Sequence, residues 1–510
     1  MAPLNILIVG CGIAGPTLAS FLLLADIPAT QKPRITILER ESTRNAHLRG
    51  QNIDIRGAGV TIIRKLGLEA QIRASTTGEE GVRMVDERNH IWTENPADRT
   101  GTIQTGTSDI EILRGKLAEL CWKNSQRISA AAERDGAAGI EYIFGDYLDD
   151  IQQQGNQVHV RFAKSKETKR FDLLVGADGM QSRTRKMVWG EEGEQERLKR
   201  LGMFAGFFSI PREEHDDNWR RWFHAPGRRG IMLRPDGLGV RSTVLMYVVN
   251  DKDPRFVEVA TNGNGGIQAQ KSLLEEYFEG AGWECERIIR EMKATDDFYY
   301  DAVSQVKMDS WSKGRVVLLG DAGYCASPIS GLGTTLAFSA AYKLAGYLQP
   351  YIKGESTDIT EALALYNKEM RPIIEDAQQL APGMPHLINP ETAWGIWTMR
   401  SLILALSYTR AFFYIIKLFG RVLHLGPQAA DYVPLSRGSG SSIYQQDVRH
   451  TVCPSLNVEC SACQCRCGFV PAITMQQLSF TVISISKSDL QYFRDLGDKV
   501  VYLYAAPGPE

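Results

Sequence analysis

The sequence predicts an α/β protein: a largely parallel sheet with flanking helices, interrupted by an antiparallel sheet and followed by a helical segment. Three observations carry this. The chain opens with a short apolar run, a cluster of glycines and a second apolar run of helical length. Aromatic-rich, strand-like stretches punctuated by turns occupy residues 202–249. A buried-type strand then returns at Arg315–Leu319 and leads directly into Gly320-Asp321. The 510 residues are 43% hydrophobic and 23% charged, near the globular average, which excludes a mainly disordered, collagen-like or multi-span membrane chain. A net charge of −2 gives no electrostatic reason to expect nucleic acid or an anionic membrane as partner.

Taken in order, Leu4–Val9 has strand length, Ile13–Leu24 is a helix opening after the glycines, and Arg34–Leu38 is a second strand ending at Glu39. Ile6–Ala25 contains no charge. No Lys or Arg precedes it, however, and Gly10, Gly12, Gly15 and Pro16 break it, so it reads as strand, turn and helix rather than a targeting segment. Glu111–Leu120 has helical periodicity, and Phe171–Val175 is a buried-type strand running into Gly176-Ala177-Asp178-Gly179. Turns at Ala225-Pro226-Gly227 and Pro235-Asp236-Gly237 divide the antiparallel region. Thr334–Leu348 is a helix. Between Trp394 and Phe419 an apolar stretch carries Arg400, Arg410 and Lys417, too many charges for a membrane span. It reads as packed helices, with a membrane-surface helix as the alternative. Arg437–Ser442 has the composition of a flexible linker. Cys11, Cys121, Cys285 and Cys325 are scattered, which suits a reducing, cytoplasmic compartment. The other five cysteines crowd into residues 453–467. Their spacing departs from that of a common zinc finger, so no metal is expected.

Gly10-x-Gly12-x-x-Gly15 has the context of a dinucleotide-binding turn. The first glycine permits the tight turn, the second lets backbone approach a pyrophosphate, and the third lets helix and strand pack closely. The helix N-terminus offers free N–H groups to the phosphates. Glu39, 24 residues beyond Gly15, ends the next strand where a carboxylate accepts from ribose hydroxyls. This motif alone does not separate a nicotinamide from a flavin dinucleotide. Gly320-Asp321-Ala322 leads through Pro328, Gly331 and Gly333 into the helix at Thr334, repeating the same logic at a second helix N-terminus. A flavin dinucleotide uses that second site, because reduced flavin carries negative charge near N1 and the C2 carbonyl. Asp321 is placed to accept from the ribityl hydroxyls.

Between these two lies Asp178-Gly179-x-x-Ser182-x-x-Arg185. The three motifs together resemble the class A flavoprotein monooxygenases, the para-hydroxybenzoate hydroxylase-like family, over residues 4 to about 425. Arg114 matches the family's helix arginine, Gly50-Gln51-Asn52-Ile53-Asp54-Ile55-Arg56-Gly57 its flavin-facing loop, and Tyr366 with Arg371-Pro372 a later pattern. Trp394-Gly395-Ile396-Trp397 resembles fungal secondary-metabolite members. Tyr324 and Leu332 depart from the family's usual His and Gln.

The resemblance implies a Rossmann-like FAD-binding domain from residues 1–80, 105–195 and 310–380, and a substrate domain from 81–104 and 196–309. C-terminal helices over 381–436 and a linker with a Cys-rich tail over 437–510 complete the chain. It implies non-covalent FAD held by Gly10, Gly12, Gly15, Glu39, Gly50, Gln51, Arg114, Asp178, Arg185, Asp321, Gly331, Gly333 and Thr334. NADPH or NADH would reduce it transiently, with Arg185 as the contact. O2 would then give a flavin C4a-hydroperoxide that hydroxylates or epoxidises an electron-rich aromatic or polyketide-type molecule. A wall of Phe207, Phe208, Arg221, Trp222 and Met246 would line the substrate pocket. Arg221 reads first as a solvated surface arginine, with a place beside a phenolate as the alternative. His215 and His224 read as surface histidines, and no catalytic base is assigned. The alternatives are a halogenase or reductase of the same fold, or a non-catalytic flavin-binding protein. The Trp-x-Trp-x-Ile-Pro segment of halogenases is not matched at Trp394–Trp397.

Overall fold

Six strands build the sheet that carries all three motifs. Across it run Ser312–Lys313, Val316–Leu318, Leu173–Gly176, Asn5–Val9, Arg34–Glu39 and Ile140–Phe144. Every neighbouring pair is parallel except the first. Ile6, Leu7 and Ile8 are all fully buried although successive side chains point to opposite faces, so the sheet must be covered on both sides. Helices Ala14–Leu24, Arg114–Arg134 and Gly333–Ile352 cover one face. A small antiparallel sheet of Leu148–Gln154, Gln157–Phe162 and Thr168–Phe171 covers the other, packing Val158, Val160 and Phe162 against Leu7, Leu38 and Leu174. The computed structural model describes residues 3–42, 51–97, 110–261 and 266–407. Gly50, residues 408–419 of the apolar stretch, the 437–442 linker and the cysteine tail lie outside them.

One element differs from its sequence reading. Glu111–Leu113 is a strand, and the helix begins only at Arg114 and runs to Arg134. The short strand pairs antiparallel with Asn52–Asp54. Residues 59 positions apart in sequence thus supply the pairing that local periodicity does not reveal.

The second sheet has seven strands in the order Phe298–Val306, Leu198–Pro211, Arg241–Val249, Arg229–Pro235, Arg220–Ala225, Gly81–Val85 and Ile91–Pro96. It is antiparallel except where Arg220–Ala225 meets Gly81–Val85. Its two faces have different fates. Phe204, Phe208, Phe223, Val244 and Met246 point to the face covered by helices Arg255–Thr261, Gly266–Phe278 and Cys285–Ala294. Ala205, Phe207, Leu245, Tyr247 and Val303 point to the opposite face, where Ile329 of the third motif's loop packs against them. A buried charge cluster pins this second face to the first domain. Glu111 and Glu79 each pair with both Arg220 and Arg234. Asn52 donates to Glu111 at 2.8 Å and accepts from Thr243 at 2.7 Å.

Helix Ile359–Ala377, opened by the Asp358 carboxylate accepting from the Thr360 N–H, packs on Gly333–Ile352. The final described helix, Ala393–Ser407, lies against strands Ile91–Pro96 and Arg220–Ala225, where Arg400 donates to the carbonyls of Val85 and His224. Among the described residues no helix is long and apolar enough to cross a membrane.

Candidate active site

The first motif has the geometry its glycines require. Gly10 adopts φ +111°, and a Cβ there would sit 2.3 Å from the Ala177 carbonyl oxygen of the second motif. A Cβ on Gly15 would meet the Gly10 carbonyl oxygen at 2.1 Å. Over Gly12 there is nothing within 4 Å, so the turn leaves room for a ligand at the start of the Ala14–Leu24 helix. That helix end has no side-chain cap, and its N–H groups remain available to an anion. The Glu39 carboxylate accepts from the Cys11 N–H at 2.9 Å and the Glu41 N–H at 3.0 Å, which fixes it beside the turn.

The third motif repeats this arrangement. Gly331 sits at φ +67° with open space around its α-carbon, and the uncapped Gly333–Ile352 helix starts beside the Asp321 carboxyl, with Thr334 buried in its first turn. Arg114, at the first position of its own helix, is exposed toward this region, and its N–H donates to the Gln51 carbonyl at 3.0 Å. Thr335 exchanges hydrogen bonds with the Arg56 backbone and ties the 51–57 loop to the motif's helix. Burial raises the Asp321 pKa, with Arg114 opposing. Tyr324, where the family's usual residue is His, accepts from the Gly320 N–H at 2.7 Å and is hydrogen-bonded to the Tyr366 hydroxyl at 2.7 Å. The substitution therefore holds the turn from within the core, behind Trp311 and Arg371, whose guanidinium lies 4.0 Å from the Trp311 ring centre. Leu332 is buried core. Two open glycine turns, two uncapped helix ends and the Asp321 carboxyl fit an extended dinucleotide.

Comparison with known proteins agrees with this geometry. The family described as an FAD binding domain matches residues 4–381. The chain belongs to that family. It is 34% identical over 382 residues to FAD-dependent monooxygenase asL6 of Sarocladium schorii, covering 74% of this chain and 86% of the relative. It is 32% identical over 417 residues to monooxygenase CTB7 of Cercospora beticola, covering 79% and 92%. Among solved structures, tetracycline destructase Tet(51) superposes with a TM-score of 0.62 at 28% identity, covering 83% of this chain and all of that one. The protein is thus an FAD-dependent monooxygenase of class A type.

In this monooxygenase the second motif does something other than the sequence reading assigned to it. Arg185 is fully buried. Its guanidinium pairs with Glu194 and donates to the Ala322 carbonyl at 2.7 Å and the Met180 carbonyl at 2.8 Å. With those bonds made and no exposed surface, it is not a contact for an incoming nicotinamide. It ties the second motif to the third. Asp178 is likewise engaged, accepting from Ser182 Oγ at 2.6 Å and from the Thr184 N–H and hydroxyl at 3.0 Å each. Ser182 in turn accepts from the Arg185 N–H.

The substrate wall is also corrected. Phe208 and Met246 lie on the helix-covered face of the seven-stranded sheet. Arg221 shares that face with Phe223 and donates to Asp217 and to the His215 carbonyl, so it is not beside a phenolate. Trp222, one residue on, points the other way and donates to the Tyr247 hydroxyl at 2.8 Å. Tyr247 donates onward to Asn389 at 2.9 Å. The side chains facing the third motif are Phe207, Trp222, Met232, Leu245, Tyr247 and Tyr299. His224 is buried rather than superficial. Burial, with Arg400 adding repulsion, lowers its pKa to about 3, which keeps it neutral. His215 is half-exposed and sits 3.1 Å from Glu284.

Two residues absent from any motif lie on this face. Tyr299 keeps 53% of its surface accessible, and partial burial raises its phenol pKa. Asp301, two residues on and on the same face, has its pKa raised to about 7 by burial and by the nearby Asp321 carboxylate, against Arg114. The YYDAV segment carries no sequence signal beyond an acid in an apolar strand.

Proposed function

We propose that this monooxygenase uses NAD(P)H and O2 to hydroxylate or otherwise oxygenate an electron-rich, polycyclic aromatic or polyketide-type molecule. Its site residues would be Gly10, Gly12, Gly15, Glu39, Gln51, Arg114, Asp321, Gly331, Gly333 and Thr334 for FAD. Phe207, Trp222 and Tyr299 would contact substrate, with the buried Tyr247 holding Trp222 in place. The observation that carries the reading is the aromatic face of the seven-stranded sheet, set opposite the third motif's loop. FAD held by those residues would supply the redox and oxygen-transfer chemistry. The chain's own residues provide the rest. Phe207 and Tyr299, with ring centres 6.0 Å apart and planes tilted by 33°, offer an aromatic surface to a planar ring system. The Trp222–Tyr247–Asn389 chain, with Asn389 donating to the Pro385 carbonyl, ties that surface to the 385–389 segment. The name of the Tet(51) relative, a tetracycline destructase, supports a polycyclic substrate.

Stopped-flow absorbance tests this reading. Purified protein is reduced with NADPH in the presence of a panel of phenolic polycycles and, separately, of small single-ring phenols. The expected result is a bound-flavin spectrum whose reduction is accelerated by a polycyclic compound. Acceleration by single-ring phenols alone would refute the substrate class. The Trp222→Ala and Phe207→Ala variants should raise KM for that compound more than they change NADPH reduction without substrate.

A further inference from the structure

We infer that Tyr324 and Tyr366 are positioning residues for the cofactor: their two buried hydroxyls fix the Leu319–Gly320 peptide and so set where the Asp321 carboxyl meets the flavin dinucleotide. The inference rests on the placement of Asp321 against the ribityl chain given above. Gly320 adopts φ +69° and ψ −143°, a conformation that glycine reaches without steric cost. Hydrogen bonds rather than side-chain sterics therefore choose the orientation of the peptide before Asp321. The Gly320 N–H donates to the Tyr324 hydroxyl at 2.7 Å. That oxygen lies 2.7 Å from the Tyr366 hydroxyl, which donates to the Leu318 carbonyl at 3.3 Å. The order of protons follows. Tyr366 gives its proton to Leu318, so it accepts from Tyr324, and Tyr324 accepts from the backbone. The pair spans the turn from the last residue of strand Val316–Leu318 to the residue before Asp321. On the other side of Asp321, Arg185 donates to the Ala322 carbonyl at 2.7 Å. Asp321 is thus flanked by two peptide groups, each held from within the core.

The outer member of the pair comes from another element, helix Ile359–Ala377. Other residues of that helix and its end hold the same segment. Asn367 Oδ1 accepts from the Trp311 N–H at 2.8 Å, Arg371 donates to the Met308 and Asp309 carbonyls at 2.8 and 2.6 Å, and Gln378 donates to the Cys325 carbonyl at 3.1 Å. Tyr324 and Tyr366 are 1% and 0% exposed, so neither touches a ligand, and both act on the site through the backbone. Deleting the Tyr324 hydroxyl leaves the buried Gly320 N–H without this acceptor, and the glycine lets the peptide turn away. Deleting the Tyr366 hydroxyl removes only the acceptor of the Tyr324 proton, one bond further from Asp321. The first change is therefore the larger, and the second has no further effect once the first is made.

The test is fluorescence titration of FAD into full-length apoprotein. The visible circular dichroism of the bound flavin and the thermal midpoint of the apoprotein are recorded for each variant. Tyr324→Phe should raise the Kd about tenfold and Tyr366→Phe about threefold. The double variant should match Tyr324→Phe, because Tyr366 acts through Tyr324. The visible dichroism should change in Tyr324→Phe, a signature that a loss of stability alone does not produce. Wild-type affinity in Tyr324→Phe, with or without a lower apoprotein midpoint, overturns the inference: the hydroxyls then only support the core. If Tyr324→Phe does not fold, Tyr366→Phe carries the test, and unchanged affinity there overturns it equally. Additive losses in the double variant overturn the coupling of the pair. Asp321→Ala separates the two levels. Unchanged affinity in that variant removes the placement of Asp321, and the inference with it, whereas a loss there beside wild-type affinity in Tyr324→Phe removes the inference alone.

Discussion

Asp321 and Glu39 are both acids at the ends of strands in the same sheet, but their surroundings rank them differently. Asp321 is enclosed beside the start of the Gly333–Ile352 helix, and the Arg114 charge opposes the rise that burial imposes on its pKa. Removing it deletes a charge-assisted hydrogen bond, an interaction of about 1.5–3 kcal/mol. Asp321→Ala should therefore weaken FAD binding by about 10- to 100-fold in a fluorescence titration while the protein stays folded. Glu39 is part-exposed, and it also supports the Cys11 and Glu41 N–H groups. Glu39→Ala should cost less, about three- to tenfold, by the same measurement. A larger loss at Glu39 would reverse the ranking. Both acids are readable from sequence because each closes a strand at a fixed place in a motif. Asp301 is not, since its carboxyl is enclosed only by the tertiary packing of its strand, which raises its pKa. Arg185 shows the converse: its motif is plain in the sequence, but its burial and its partners Glu194 and Ala322 are not.

At the scale of elements, the strand–turn–helix units read well because their strands are buried on both faces and appear as uninterrupted apolar runs. The Leu148–Phe171 sheet escaped the sequence reading because its outer face is Asp149, Gln152, Gln154 and Arg161, which dilutes the apolar signal. Phe207 and Phe208 meet opposite fates because successive strand side chains point to opposite faces, and two neighbours of equal hydrophobicity carry no sequence signal of which face each takes. The junction of the two sheets depends on charge rather than apolar pattern. Glu111 satisfies Arg220 and Arg234 as well as Asn52 and Thr77. Glu111→Ala would leave two buried guanidiniums with only Glu79 between them, at a cost of about 3–5 kcal/mol. The expected outcome is a lower thermal midpoint for the flavin-loaded protein, with Glu111→Gln intermediate because it keeps the neutral hydrogen bonds. An unchanged midpoint in Glu111→Ala would show that the cluster contributes nothing to docking.

For the whole molecule, the distribution of the site along the chain sets a limit on what the C-terminal segment does for FAD. Every residue assigned to the cofactor lies between Gly10 and Thr334, and the family match ends at residue 381. The segments that buttress those residues lie within the matched residues 4–381. Tyr366 backs Tyr324, Arg371 covers Trp311, and Gln378 donates to the Val306 and Cys325 carbonyls. The last described helix supports the other sheet instead, through Arg400 on the Val85 and His224 carbonyls, at the end of the aromatic face far from the glycine turns. Cofactor retention and the support that the last described helix gives the seven-stranded sheet are therefore separable by position along the chain. Ending the chain at Arg437 should leave the flavin-to-protein ratio and the flavin spectrum unchanged, as measured by absorbance after desalting. Arg400→Ala in the full chain should likewise retain flavin but raise KM for the accelerating substrate, since the helix would lose its two anchoring hydrogen bonds to the sheet. Loss of flavin on truncation at Arg437 would mean that the region beyond residue 437 contributes to the cofactor site, and the division would fail.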